Sequence, residues 1–242
     1  MLISNALGVV ILGLAATGFG LPSVPSNPVA GGTTTQRVKM ADVRGSMGKL
    51  TCLKSDPLEK EKVEYVMSGK ANYDEVSRSA AEIHAGMILS NSFADALTTD
   101  LKSYARSYAA SKAADENVKG IVGKSKPEEL SNDQAIALLA LKKKQGQLTG
   151  DEASFALSSA TDAAVVATYL GSTATRAKPL ATKAASLSQS VNTDFSGGEA
   201  IKAPLVAKSL QTSTKSLKEA TVKAPELAKT LARLAQGLKS LQ

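Results

Sequence analysis

The longest pattern in the chain runs through Val76, Ala80, Ile83, Met87, Ser90, Ala94, Leu97, Leu101, Tyr104 and Tyr108, at spacings that alternate four and three. Nine of these ten are apolar or aromatic. A 4–3 alternation keeps one face of an α-helix apolar and is the seam of helices packed nearly parallel. Ile88, Leu89 and Phe93 widen that face in its middle. An unbroken helix from Tyr73 to Lys119 would be about 70 Å long at 1.5 Å per residue, so the pattern predicts either an elongated bundle or a bend. Gly86 and the polar run Ser90-Asn91-Ser92 are the weak points.

Upstream, "SDPLEKEKVEYVM" predicts a short helix. Asp56 can accept first-turn N–H groups, Pro57 suits the first helical position, and Glu59 completes a capping box, with Gly69 and Asn72 ending the segment. Downstream, "GIVGKSKPEELSND" reads as a loop. "QAIALLALKKK" reads as a short helix, whose three closing lysines complement the carbonyl end. "QGQLTGDEASF" is a connector in which Thr149 and Glu152 can form a second capping box. From Asp151, Phe155, Ser159, Asp162, Val166, Tyr169 and Thr173 follow heptad spacing in an alanine-rich helix, interrupted by Pro179. Gly197 and Gly198 mark the last clear loop.

Two similar stretches follow, "APLVAKSLQTSTKSL" (203–217) and "APELAKTLARLAQGL" (224–238), offset by 21 residues, or three heptads. At 100° per residue, Val206, Leu210 and Leu217 share one side, with Lys208, Lys215 and Lys218 opposite. In the second copy Leu227, Leu231, Leu234, Leu238 and Leu241 share a side, away from Lys229, Arg233 and Lys239. Pro225 should break or kink the helix between the copies.

The pattern is different at the start. Residues 6–21 are apolar or small apart from Thr17, and Pro22, Pro25 and Pro28 follow. The run is shorter than the ~20 residues that span a bilayer and resembles the hydrophobic region of a secretion signal, although no Lys or Arg precedes it. The alternative is an uncleaved membrane anchor. Residues 22–55, with "GGTTTQ", read as a flexible tether with a short strand around "RVKMADV". The single cysteine, Cys52, can form no internal disulfide; it reads as a partly buried free thiol rather than a lipidation site.

Composition sharpens this reading. Aromatics are 4% of the 242 residues and Trp is absent, so the core must be built from Ala, Leu and Val. The net charge is +7. Residues 171–242 hold eleven Lys or Arg against four acids, so this third carries the whole excess. Such asymmetry points to an anionic surface as partner or to solubility alone. The cations of the paired helices, Lys208, Lys215, Lys218, Lys229, Arg233 and Lys239, are the candidate contacts. Nucleic acid is disfavoured, because lysines outnumber arginines and Phe195 is the only aromatic beyond Tyr169.

No motif points to catalysis. His84, the only histidine, has no triad partner in the pattern. The acidic pairs 74–75, 128–129 and 151–152 sit at helix starts, where they complement the dipole. "GIVGKS" lacks the spacing of a phosphate loop. No metal or cofactor is expected.

The sequence therefore predicts an all-α protein, an elongated antiparallel helix bundle with a long heptad-patterned helix. Its segments are a signal or anchor (1–21), a tether (22–55), a helical body (56–198) and the paired Lys/Leu helices (199–242) docked on it. The expected function is that of an exported, non-enzymatic binding or scaffolding component, secreted or in the periplasm or cell envelope. It would meet a protein partner or itself through helix faces. The alternative is a lipid-surface protein acting through its C-terminal helices, and the N-terminal segment could instead remain as an anchor.

Overall fold

A computed structural model of the chain describes residues 32–48, 50–51 and 62–242. The signal-like run, Cys52 and the Asp56/Pro57/Glu59 cap lie outside the described residues. The rest is mostly helical, in the order β1 (Thr34–Arg37), α1 (Met40–Met47), β2 (Glu64–Met67), α2 (Ala71–Ser111), α3 (Glu116–Val122), α4 (Asn132–Lys144), α5 (Gly150–Asp194) and α6 (Ala203–Lys239). Short 3-10 turns precede α4 and α6. The contacts divide the chain into two compact units. One contains residues 98–148, the other the described residues up to 97 together with 149–242.

In the larger unit, β1 and β2 pair antiparallel, with Thr34 opposite Met67 and Arg37 opposite Glu64. This corrects the helix expected across 56–68, because its described end, Glu64–Met67, is a strand. "VEYVM" carries β-branched and aromatic side chains that favour a pleated, half-buried surface, and pairing with β1 satisfies the backbone groups along one of its edges. Where residues 22–55 read as a tether with a strand at "RVKMADV", the strand lies earlier, at Thr34–Arg37, and Met40–Met47 is helical. A lone pair of strands is marginal in water. Here it is held by a shared core in which Val43, Met47, Val63 and Tyr65 pack with Ala81, Ala85 and Leu89 of α2.

α2 continues through Gly86 and the Ser-Asn-Ser run, then ends at Ser111, short of the expected Lys119. Ser90 and Asn91 bond back to the carbonyls of Gly86 and Met87, both at 2.9 Å, which keeps these polar side chains inside the helical pattern. Of the ten seam residues, all but Tyr104 are buried.

α5 starts at the capping box read from the sequence. Thr149 accepts from the Glu152 N–H at 3.3 Å, and the Glu152 carboxylate accepts from the Thr149 N–H at 2.9 Å. α5 and α6, joined by residues 195–202, pack along their lengths as an antiparallel pair. Small residues of α5 (Ala156, Ala160, Ala163, Ala177, Ala184) face the interior, and α6 inserts Val206, Leu210, Leu217, Leu231, Leu234 and Leu238. Alanines opposite leucines let the two backbones approach closely while the leucines fill the space.

Both internal prolines correct the expectation of breaks. Pro179 lies inside α5 and Pro225 inside α6. Each is exposed, so the carbonyl that proline leaves unbonded one turn earlier lies towards water rather than in the core.

The N-terminal end of α2 meets the far end of α5. The Tyr73 hydroxyl donates to the Asp194 carboxylate at 2.6 Å, and its ring meets Phe195 edge-on with centroids 5.0 Å apart. Lys183 bonds Glu75 at 2.8 Å. On the other side, Asp162, 1% exposed, accepts the Thr51 N–H at 2.6 Å and pins that stretch to α5.

In the smaller unit, Ser131 and Gln134 form a capping box at the start of α4. The Gln134 amide also donates to the carbonyls of Ile121 and Val122 at 3.2 and 3.1 Å. Tyr108 donates to the Gln145 side chain at 2.8 Å.

Candidate functional site

Two features of the larger unit could meet a ligand or partner. The first is a cleft of about 450 Å³ where β1, α1, α2 and α5 converge. Helical spacing explains who reaches it. Arg78 and Glu82 are one turn apart on α2, Asp42 and Ser46 one turn apart on α1, and Tyr169 and Arg176 two turns apart on α5. The end of β1 adds Gln36 to Lys39, and β2 adds Tyr65, whose hydroxyl donates to Gln36 at 3.0 Å. Val38, Val43 and Ile83 supply apolar wall.

Four cations and two acids line this cleft. Arg37 is engaged with Glu64, Nε to Oε1 at 2.8 Å. Lys39, Arg78 and Arg176 form no hydrogen bond or ion pair among the described residues, and all three are exposed. Asp42 stands in the first turn of α1, where its charge complements the free N–H groups.

Tyr169 forms the inner wall. Its hydroxyl presses on Gly86 of α2, where a Cβ would also lie only 2.8 Å from the ring's Cζ. That contact is why α2 carries glycine there. Burial pushes the Tyr169 hydroxyl above its ordinary 10.0, with hydrogen bonds to Thr173 and Ser46 and the charge of Arg176 pulling the other way. The phenol is therefore protonated at neutral pH.

The second feature is the solvent side of α6. Lys208, Lys215, Lys218, Lys229, Arg233 and Lys239 are all exposed. At 100° per residue the first five fall within an arc of about 80°, and Lys239 lies outside it. The row is not purely cationic. Glu226 is exposed at its edge, and Glu219 beside it pairs with Lys223 at 3.6 Å. The leucines of both copies are buried apart from Leu205 and Leu227, which are half-buried.

The structure does not bring these six cations to the cleft, which is built from residues that the sequence reading either used only as pattern positions (Tyr169) or passed over (Arg78, Arg176). His84 is half-buried, has a partner, and does not line the cleft. "GIVGKS" covers the C-terminal end of α3, with Gly123 as its C-cap at φ 61°. That end presents carbonyls, the opposite polarity from the N–H groups that cradle phosphate. Among the described residues no three His, Cys, Asp or Glu side chains are grouped to hold a metal. Nor is any described helix long and apolar enough to cross a membrane.

Compared with known proteins, the chain matches no family model, no curated protein and no solved structure.

Proposed function

We propose that this chain is an exported, non-enzymatic helical protein that acts as a binding or scaffolding component of the cell envelope. On this reading its body is an antiparallel helix bundle whose α2 contributes a heptad seam. The observation that carries the reading is the α5–α6 pair. Most of its apolar side chains are buried, with Leu157 and Val222 exposed as exceptions, and what remains outside is a long surface with charges at regular spacing. Such a surface suits contact with a partner along its length and offers little to enclose a reacting substrate. The apolar run at residues 6–21 supports export.

The test is chemical crosslinking in intact cells, followed by fractionation and sequencing of the mature N-terminus. Recovery in the envelope or medium, with the N-terminus beyond residue 21, is the expected result. An intact, cytosolic chain without crosslinked partners overturns the reading.

A second reading is favoured by the exposure of all six α6 cations: contact with an anionic lipid surface. Because the leucine side of α6 is buried against α5, this contact would be made by charge alone, with no insertion of the leucine face. The purified chain should then sediment with vesicles containing phosphatidylglycerol at low salt and be released at high salt, as screening shortens the reach of exposed charges. Binding that survives high salt would contradict a charge-only contact, and absence of binding at low salt would remove this reading.

A further inference from the structure

We propose that the cleft between β1, α1, α2 and α5 is a binding site for a small organic anion, one that carries a phosphate or carboxylate group and hydroxyl or amino groups on its body. This goes beyond a scaffolding role and does not depend on where the chain resides.

The argument begins with Arg78 and Arg176. They come from separate helices, both line the same cleft, and neither forms an ion pair or hydrogen bond with a carboxylate among the described residues. Elsewhere in this unit the cations that bridge elements have partners: Lys183 holds Glu75, and Lys70 and Lys202 share Glu199. Glu75 on the same helix feels the charge of Arg78, and the Tyr169 hydroxyl feels that of Arg176, but no described acid neutralises either guanidinium through a hydrogen bond. A planar, bidentate fork is also the group best matched to a phosphate or carboxylate. Lys39 adds a third lining cation without an ion pair among the described residues.

The remaining walls define the rest of the ligand. A volume of about 450 Å³ exceeds the needs of a bare oxyanion and falls in the range of pockets for small organic molecules. Val38, Val43 and Ile83 give the carbon skeleton an apolar surface. The Ser46 hydroxyl, whose proton goes to the Val43 carbonyl at 2.6 Å, offers an acceptor, and the neutral Tyr169 hydroxyl can donate or accept. Glu82, one turn from Arg78, and Asp42 are acceptors. They exclude a ligand that is anionic all round and favour one with hydroxyl or ammonium donors opposite its anionic end.

The test uses the purified full chain, with glycerol phosphate, glycerate and inorganic phosphate as probes, followed by calorimetry and by amide NMR. Saturable binding of glycerol phosphate or glycerate is expected, weaker as salt rises, with the largest shifts at Ser46, Tyr169 and Arg176. Loss of a charge-assisted pair predicts at least about tenfold weaker binding in Arg176→Gln and in Arg78→Gln. Lys208→Gln, on the far side of α6, should bind as the parent does. Both arginines are exposed, so melting curves should show the variants folded. Arg176→Lys, which keeps charge but loses the fork, should bind between the parent and Arg176→Gln. The proposal is overturned if none of the three probes binds saturably, if the double variant Arg78→Gln/Arg176→Gln binds as the parent does, or if inorganic phosphate binds as tightly as glycerol phosphate, which would leave no role for the organic body.

Discussion

Among the described glycines, Gly86 under Tyr169 leaves the least room for a side chain. Placing a Cβ at Gly86 sets two opposing effects against each other. Alanine is a better helix former than glycine by about 1 kcal/mol, whereas forcing extra volume into a filled contact costs about 1–3 kcal/mol. The ring is rigid and partly buried, and both its Cζ and its hydroxyl are in the way, so the clash should prevail. Gly86→Ala is therefore expected to lower the melting temperature. In a Tyr169→Leu background the same change should be neutral or stabilising, because the ring is gone and only the propensity gain remains. A double-mutant cycle by thermal denaturation reads the difference directly; equal effects in both backgrounds would show that the two residues are not coupled. None of this was legible in the sequence. A glycine in the middle of a helical seam read as a weak point, because a one-dimensional pattern records a missing side chain without showing what fills the space. Arg78 and Arg176 were hidden for a related reason. Each looks like an ordinary surface cation until β1 and α1 are known to form the other walls of the cleft.

Among the elements, legibility followed the strength of local signals. The Thr149 capping box and the Leu and Lys sides of α6 depend on residues within a few positions of each other, and they stand where the sequence placed them. β2 failed because its stability is non-local: its partner lies some thirty residues upstream and its support is a helix not yet formed when the chain is read in order. The prolines failed because local cost was taken as decisive. An internal proline costs a helix about 3 kcal/mol, but burying a single leucine returns about 1.5–3 kcal/mol, and α6 buries several on α5. Tertiary packing therefore outweighs the break. Restoring the missing N–H at an exposed site should then stabilise: Pro225→Ala is expected to raise the melting temperature, within a ceiling of about 3 kcal/mol. Leu217→Ala, at a fully buried position, should lower stability by about 2–5 kcal/mol. Paired denaturant titrations of the two variants check both signs. A destabilising Pro225→Ala would mean that the proline conformation itself is required for α6 to follow α5.

For the whole molecule, acid and base should act through different residues. The Lys202 and Lys70 ammonium groups hold the Glu199 carboxyl below its ordinary 4.5, and Lys183 does the same for Glu75. A carboxyl whose folded value is depressed contributes stability above its unfolded value, and that contribution disappears as pH falls through the folded value. Burial and the bond to Asp194 raise the Tyr73 hydroxyl above 10.0, and burial also raises Tyr169. Their contribution is complete below 10.0 and is lost as pH rises through the raised values. Burial raises the Asp95 carboxyl above 3.8, which works against the acid limb, so the wild-type curve alone does not isolate one group. A variant comparison does. Glu199 joins the turn before α6 to the start of α2 through Lys70, at 3.1 Å. Glu199→Gln should lower the melting temperature at pH 7, where the parent carboxylate is charged, and the difference should shrink as pH falls through the depressed folded value, where the parent loses the same interaction by protonation. Because these charges are exposed, the difference at pH 7 should also shrink as salt is added. A melting-temperature difference that does not change with pH would mean that Glu199 acts through packing rather than through its charge on Lys70 and Lys202.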